Sequence, residues 1–387
     1  MNKATEKVDE LDVTDDHAEF RFFDNRQKYL LFVNTCSEKW VIGERIAREL
    51  KHIQPKPPSI RIFDAGVGDG TVLSRVWRAM HYSFPTMPYL IQGKEVSLED
   101  VRLTLDKIPD RLYEHPASVV VLTNLYYSES PWLKPRSDEA TQDMVWKEVA
   151  LKGSCSHEFE QQIVELQEFL SENWQARAGK NGNPVYERPV ALVLYREDHQ
   201  FLLDSVIPKR DKPQADFDLI IASQPYRAIA SAESKAKNVI APLSRALAPN
   251  GRLIGIHSLG NDPGMEIVDA VWPFKNPFTV SRQEILEAVK KQLGNDADQF
   301  VFSAGSNSDS LFNYEMHTLP NEIGSSIGTS TLLAAWNAAT YVAQVEDDRL
   351  EAAMREDKYI AATESVLKKR GGLWFQNESY TITRKDS

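Results

Sequence analysis

Along this chain, short and nearly unbroken apolar runs alternate with stretches in which apolar residues recur every three or four positions. Residues 60–63 (Ile-Arg-Ile-Phe) form a β-branched and aromatic run, as a buried parallel strand requires. From Thr71 the spacing becomes helical: Val72, Val76 and Met80 share one face, with Leu73 and Trp77 beside them. Residues 89–95, 217–222 and 252–257 read as further strands, and the third strand is either 118–124 or 190–195. Leu98, Val101, Leu105 and Ile108 mark one helix, and Phe159, Ile163, Leu166, Leu170 and Trp174 mark a second. Ala232, Ala236, Val239, Ile240, Leu243 and Leu247 trace a third, and residues 280–293 a fourth. Residues 311–317 and 374–383 alternate as an antiparallel pair would. Strands that alternate with helices in this way predict an α/β fold: a mostly parallel sheet covered by helices on both faces.

Three stretches stand outside that alternation. Residues 20–50 have helical spacing, with Tyr29, Phe32, Val33, Trp40, Ile42, Ile46 and Leu50 as apolar positions, and a stiff Pro-rich connector at 54–58 follows. The interval from about 125 to 215 is longer than a simple strand connection, and such an insertion shapes substrate access or a homodimer contact. Residues 331–345 form an apolar helix containing Trp336 and Tyr341, followed by a charged one. The expected organisation is a disordered tail at 1–16 and an N-terminal helical lid at 17–58. One domain then spans 59–387, with the insertion at about 125–215 and a helical lid at about 325–365.

Between the first strand and its helix lie Gly66, Gly68 and Gly70, which let the backbone turn sharply and let a ligand approach closely. The helix start is expected to offer free N–H groups to an anionic or electron-rich ligand. The spacing is not G-x-G-x-x-G, because Thr71 takes the third position, and no Gly-Lys-Ser/Thr follows to make a P-loop. The stretch Asp64-Ala-Gly66-Val-Gly68-Asp-Gly70 resembles motif I of the class I S-adenosylmethionine-dependent methyltransferases. That resemblance implies a Rossmann-like seven-stranded sheet with an antiparallel last strand, and S-adenosyl-L-methionine as cofactor. Asp64, Gly66, Gly68 and Gly70 would then hold its methionine part.

The resemblance extends to later strand ends. Glu95 closes the second strand near the offset at which a carboxylate grips ribose hydroxyls in dinucleotide folds, and the family places its ribose acid there too. Asn124 falls on the loop expected to touch the adenine; were 190–195 the third strand, Glu197 and Asp198 would take that place. Ser223-Gln224-Pro225-Tyr226 resembles the Asn/Asp/Ser-Pro-Pro-Tyr/Phe motif of amino-methyltransferases, departing from it at Gln224. The motif implies an acceptor beside Gln224, Pro225 and Tyr226, with Ser223 near the cofactor and Tyr226 stacking on the reacting group. His257, at the end of the fifth strand, is the candidate base. Tyr29, Asn34, Glu38 and Lys39 are candidate lid residues, and Trp336, with Trp272, Tyr341 and His317, a candidate acceptor wall.

Composition narrows the partners. With 45 basic and 56 acidic side chains the formal charge is −11, so there is no global basic field to draw in nucleic acid or an anionic membrane. Two cysteines, Cys36 and Cys155, make neither a disulfide framework nor a zinc set, which fits a cytoplasmic protein, and no metal is expected. The leading expectation is an enzyme that methylates a small-molecule N- or O-nucleophile. An amino-methyltransferase acting on a nucleic-acid base or protein side chain is the first alternative, and a non-catalytic cofactor-binding module the second.

Overall fold

The computed structural model describes residues 26–179, 184–273, 276–318, 320–324, 326–355 and 357–386. The expected tail at 1–16 and the start of the expected lid lie outside them. Twelve strands are found among these residues: β1 (Ile60–Asp64), β2 (Tyr89–Lys94), β3 (Ser118–Thr123), β4 (Val145–Leu151), β5 (Ala176–Ala178), β6 (Pro184–Tyr186), β7 (Val190–Arg196), β8 (Phe217–Ser223), β9 (Leu247–Ser258), β10 (Phe300–Ser303), β11 (Leu311–Glu315) and β12 (Trp374–Arg384). All but the small β5–β6 hairpin join one sheet in the order β10-β12-β9-β8-β1-β2-β3-β7-β4, with β11 also on β12. The segment from β9 to β3 is parallel, and β12 enters antiparallel beside β9. This is the mostly parallel, doubly wound arrangement the apolar pattern predicts.

The strand count is ten rather than seven, for two reasons. The insertion sends β7 antiparallel along β3 and then seats β4 parallel to β7. β3 and β7 are buried along their whole length, so an uncovered β3 would have been a long apolar edge open to pairing. The new edge, β4, carries exposed Lys147 and Glu148 instead. The other extra strand arises because the sixth strand is split: β10 pairs with one half of β12 and β11 with the other.

The topology also decides the third strand. β3 lies parallel beside β2, whereas β7 runs the opposite way, with Val119 facing Tyr195 and Thr123 facing Ala191. Glu197 and Asp198 therefore follow β7 at the far end of the sheet from the ends of β1, β2 and β3, and they drop out as adenine contacts.

Helices fill both faces. α1 (Arg26–Thr35) and α2 (Glu38–Ala47) precede the sheet; α3 (Thr71–Ser83) follows β1 and α4 (Leu98–Leu105) follows β2. α3 buries Val72, Leu73, Val76, Trp77 and Met80, the stripe its spacing predicts. Ser97 caps α4 by accepting a hydrogen bond from the Asp100 N–H. A separate apolar cluster joins α1 to the helices Pro263–Val271, Thr329–Val342 and Lys358–Arg370. No helix among the described residues is long and apolar enough to cross a membrane.

Candidate functional site

The order β9-β8-β1-β2-β3 reverses direction between β8 and β1, and ligands of open α/β sheets bind outside the strand ends at such a switch. The glycine turn follows β1 there, and residues 223–226 follow β8.

Gly68 and Gly70 have φ of +55° and +77°, a left-handed region that only glycine enters freely. A β-carbon on Gly70 would also stand 2.9 Å from the Thr104 Cα, so the turn is packed against α4. Gly66 is different: a β-carbon there would meet nothing within 4 Å, and the space beside Asp64 is open.

The turn's amides are already taken. Gly66 N–H donates to Asp64 Oδ1 (3.1 Å), Val67 N–H to the Lys94 carbonyl (3.1 Å) and Gly68 N–H to Glu95 Oε2 (2.9 Å). Asp69 N–H donates to Tyr29 Oη (3.3 Å), Gly70 N–H to the Val67 carbonyl (3.1 Å) and Thr71 N–H to Asp69 Oδ1 (3.3 Å). The free donors expected at this turn are absent from residues 66–71. Glu95 shows why: its second oxygen also accepts from Val96 N–H and Ser97 N–H, so this one carboxylate ties the end of β2 to the glycine turn.

What the site offers instead is acceptors. Burial pushes the Asp64 carboxyl up to about 7, against the Gly66 N–H and the Lys39 charge that would lower it. Burial, with Glu95 nearby, also brings Asp100 to about 7, and burial raises Glu38. Lys39 is the cation among them, with Nζ 3.6 Å from Glu38 Oε2 and 5.6 Å from the Tyr29 ring centre. Burial works to lower the Lys39 pKa, but Tyr29, Glu38, Asp69 and Tyr341 outweigh it and hold it well above the ordinary value. Lys107 donates to the Asp69 carbonyl (2.6 Å) and the Leu103 carbonyl (3.0 Å) and pairs with Asp69 Oδ2 at 3.8 Å, and Lys94 lies over the Tyr127 ring (4.7 Å).

α1 closes over this cluster. Tyr29 Oη, besides accepting from Asp69 N–H, lies 3.4 Å from Asp69 Oδ1. Its ring centre is 6.0 Å from that of Tyr341, which in turn is 4.9 Å from Phe32. Asn34 takes no part; it is exposed, and its amide donates to the Leu30 carbonyl of its own helix.

On the β8 side, Gln224 has φ of +51°, which turns the chain sharply out of the strand. Its N–H donates to the Ile256 carbonyl (2.9 Å) and its side-chain amide to Ser258 Oγ (2.9 Å). The Pro225 carbonyl accepts from Tyr127 Oη (2.7 Å), which ties the β8 loop to the β3 loop. Tyr226 points inward: its hydroxyl is 3.3 Å from that of Tyr380, and its ring lies under Lys235 Nζ at 5.0 Å. His257 Nε2 stands 2.9 Å from Glu378 Oε1, and Arg282 binds the same carboxylate through its N–H (2.8 Å) and Nη1 (2.7 Å). Burial lowers the His257 pKa despite Glu378, which keeps the imidazole neutral at pH 7.

Two expected site residues are placed elsewhere by their contacts. Asn124 spends its amide on the insertion: Nδ2 donates to the Arg188 carbonyl (2.8 Å) and Oδ1 accepts from Val190 N–H (2.8 Å). Trp336 is buried in the helical cluster between Trp272 (5.5 Å between ring centres) and Tyr359 (5.2 Å), so it builds that core rather than an acceptor wall. His317, exposed, donates its backbone N–H to the Thr35 carbonyl. Residues that the reading by pattern passed over are Asp69, Asp100, Tyr127 and Lys235. Asp69, between two turn glycines, and Asp100, three positions after the capping Ser97, carried a local signal; Tyr127 and Lys235 did not.

No protein-family model matches this chain, and no curated protein matches its sequence. Among solved structures it is similar to phosphoethanolamine N-methyltransferase 2 of Haemonchus contortus in complex with S-adenosyl-L-methionine. That match has 11% identity, 96% of this chain, 61% of that chain and a TM-score of 0.32. It is also similar to geranyl diphosphate methyltransferase in complex with SAM, at 12% identity, 88% of this chain, 85% of that chain and a TM-score of 0.33. The chain thus spans less than two thirds of the Haemonchus contortus enzyme. The strand order of the chain itself establishes a Rossmann-like α/β fold, with an acidic glycine turn at the switch point.

Proposed function

We propose that the protein is an S-adenosyl-L-methionine-dependent methyltransferase acting on a small-molecule N- or O-nucleophile. One observation carries this reading: the amides of residues 66–71 are spent inside the protein, while Asp64, Asp69, Glu95, Asp100 and Glu38 gather around the turn. A pyrophosphate needs free N–H donors and positive surroundings. A ligand that brings its own cations and hydroxyl donors, as an adenosyl sulfonium with an ammonium group does, finds what it needs in carboxylates.

The residues present fit that cofactor. The open space over Gly66 and the buried Asp64 suit the amino-acid part; Glu95 follows β2 at the position of a ribose acid, and Asp100 lies in the first turn of α4. When bound, the sulfonium supplies the reactivity of the methyl group. The chain supplies alignment and exclusion of water. Tyr29 and α1 cover the turn, and Tyr127 fixes the Pro225 carbonyl so that residues 223–226 form a rigid floor beside β1. An acceptor would lie on that floor, where Ser223 and the 224–226 backbone can take hydrogen bonds from its nucleophilic group. Tyr226 and His257 form the wall below it, and a neutral His257 is in the protonation state a proton acceptor requires.

Calorimetric titration with S-adenosyl-L-methionine, S-adenosylhomocysteine and NAD tests this. Saturable binding of the first two is expected, with none for the dinucleotide; the reverse pattern would sink the reading.

A further inference from the structure

Behind the 223–226 loop lies a second polar chamber that the cofactor reading does not use. It is a cavity of about 10 Å³, lined by Gln224, Tyr226, Ala228, Lys235, His257, Ser258, Phe278 and Val280. That volume admits one water-sized atom. Lys235 is 2% exposed, and of its three donors one is given to the Ala228 carbonyl (2.9 Å), with the ammonium over the Tyr226 ring. It ends the Ala232–Lys235 helix, immediately before a π-helical stretch, Ala236–Ile240. Such wide turns are rare and concentrate at functional sites.

The charges here do not cancel. Glu378, whose charge acts on Lys235, is matched by Arg282 through two hydrogen bonds. His257 Nε2, although 2.9 Å from Glu378, has no well-aligned hydrogen-bond partner. That leaves Lys235, among the described residues, as a buried cation with no directly bonded carboxylate, beside a neutral imidazole, the Gln224 amide and the Ser258 hydroxyl. Burial lowers its pKa to about 8 against the charges of Glu378 and Glu284, neither of which forms an ion pair or hydrogen bond with it among the described residues. A buried cation with spare donors, opening on a cavity one atom wide, is arranged for the tip of an anion.

We propose that this chamber is an oxyanion subsite: it takes one oxygen of a carboxylate or phosphate borne by the methyl acceptor, with Lys235 as the counter-charge. Gln224 lines the chamber, and its side-chain amide, bonded to Ser258 Oγ, turns aside on its own side-chain torsions to admit the anion while the 223–226 backbone stays in place. The inference rests on the methyltransferase reading only in assigning the anion to the acceptor; the subsite itself stands on Lys235 and its cavity.

The test uses the full chain at pH 7 and constant ionic strength, titrated with acetate, inorganic phosphate or methylammonium. Acetate or phosphate should raise the melting temperature saturably, by about 2 °C or more at tenfold excess over half-saturation. Methylammonium should not. The stronger of the two anions identifies a carboxylate or a phosphoryl acceptor. Lys235→Arg should keep part of the response and Lys235→Met none. No saturable response in the wild type, or an undiminished one in Lys235→Met, overturns the proposal. Should Lys235→Met fail to fold, ¹³C-lysine NMR of the wild type, assigned with Lys235→Arg, decides: the Lys235 titration midpoint must move up at saturating anion, and a fixed midpoint refutes the subsite. S-adenosyl-L-methionine titrated into the same samples separates the two ideas. Cofactor binding without an anion response removes the subsite alone; an anion response without cofactor binding removes the methyltransferase reading alone.

Discussion

The two halves of the sheet's carboxyl edge are built in opposite electrical senses. At the ends of β1 and β2, the Gly66, Gly68 and Thr71 N–H groups donate to carboxylates, Val96 and Ser97 donate to Glu95, and the site is rich in acceptors. At the ends of β8 and β9, Glu378 is consumed by Arg282, and the surplus is a buried ammonium, Lys235. The strands themselves are alike: apolar, parallel and paired in register across the switch between Asp64 and Ile221. The difference lies in the loops and in what crosses over them, α1 on one side and the helix bearing Lys235 on the other. In the proposed reading, a uniform scaffold presents a cation-seeking and an anion-seeking compartment at one carboxyl edge. That suits a reaction in which a sulfonium meets an acceptor carrying negative charge.

The comparison breaks most severely at the turn itself. Gly68→Val places a β-branched side chain at φ +55° and against Tyr29 Oη, 3.1 Å from its β-carbon. Cofactor affinity is expected to fall by at least about 100-fold by calorimetry, with near-wild-type far-UV circular dichroism. Retained affinity would mean that the turn does not face the ligand. Glu95→Ala removes the acceptor of three backbone N–H groups and should weaken cofactor binding by about 1–3 kcal/mol. A loss of stability with no loss of affinity would make Glu95 purely a tie between β2 and the turn.

The other half should answer differently. Tyr226→Ala is expected to lower kcat about tenfold while the cofactor Kd stays within about twofold. Equal losses in both would place Tyr226 on the cofactor side and dissolve the division. The smallest effect is the pH dependence of the acidic half. Asp64 and Asp100 stand at about 7 in the fold against an ordinary 3.8, so the folded state keeps their protons longer. Their contribution to stability is therefore greatest below about pH 4 and is lost as pH rises to about 7. A bound cation favours the ionised forms, so affinity should rise between pH 6 and 8, by about fivefold for a one-unit fall of one carboxyl pKa on binding. Calorimetry in buffers of different ionisation enthalpy should show proton release near pH 7; proton uptake would contradict the assigned charges.

Legibility in the sequence followed the range of the interactions. The glycine turn, the α3 stripe and the Ser97 cap act over a few residues, and each appears where its pattern puts it. Glu95 was legible as an end-of-strand acid, although its commitment to Gly68, 27 positions away in the chain, was not. The partners of Asn124 and Trp336 were not legible, because residue type and position near a strand end or on an apolar helix do not specify them. The Asn124 amide is claimed by residues 188 and 190, and Trp336 by an aromatic on another helix.

By itself the sequence determined the alternation of strands and helices, and with it a doubly wound sheet with the Gly66–Gly70 turn after its first strand. Backbone geometry and apolar periodicity are local properties, so a linear pattern carries them. Only the tertiary structure decided that β7 runs antiparallel beside β3, that the turn's amides are already bonded, and that Lys235 is buried against the Ala228 carbonyl and, among the described residues, bonds no carboxylate directly. Those outcomes depend on which distant groups arrive within about 3 Å of one another, a range over which a hydrogen bond or an ion pair is made or lost.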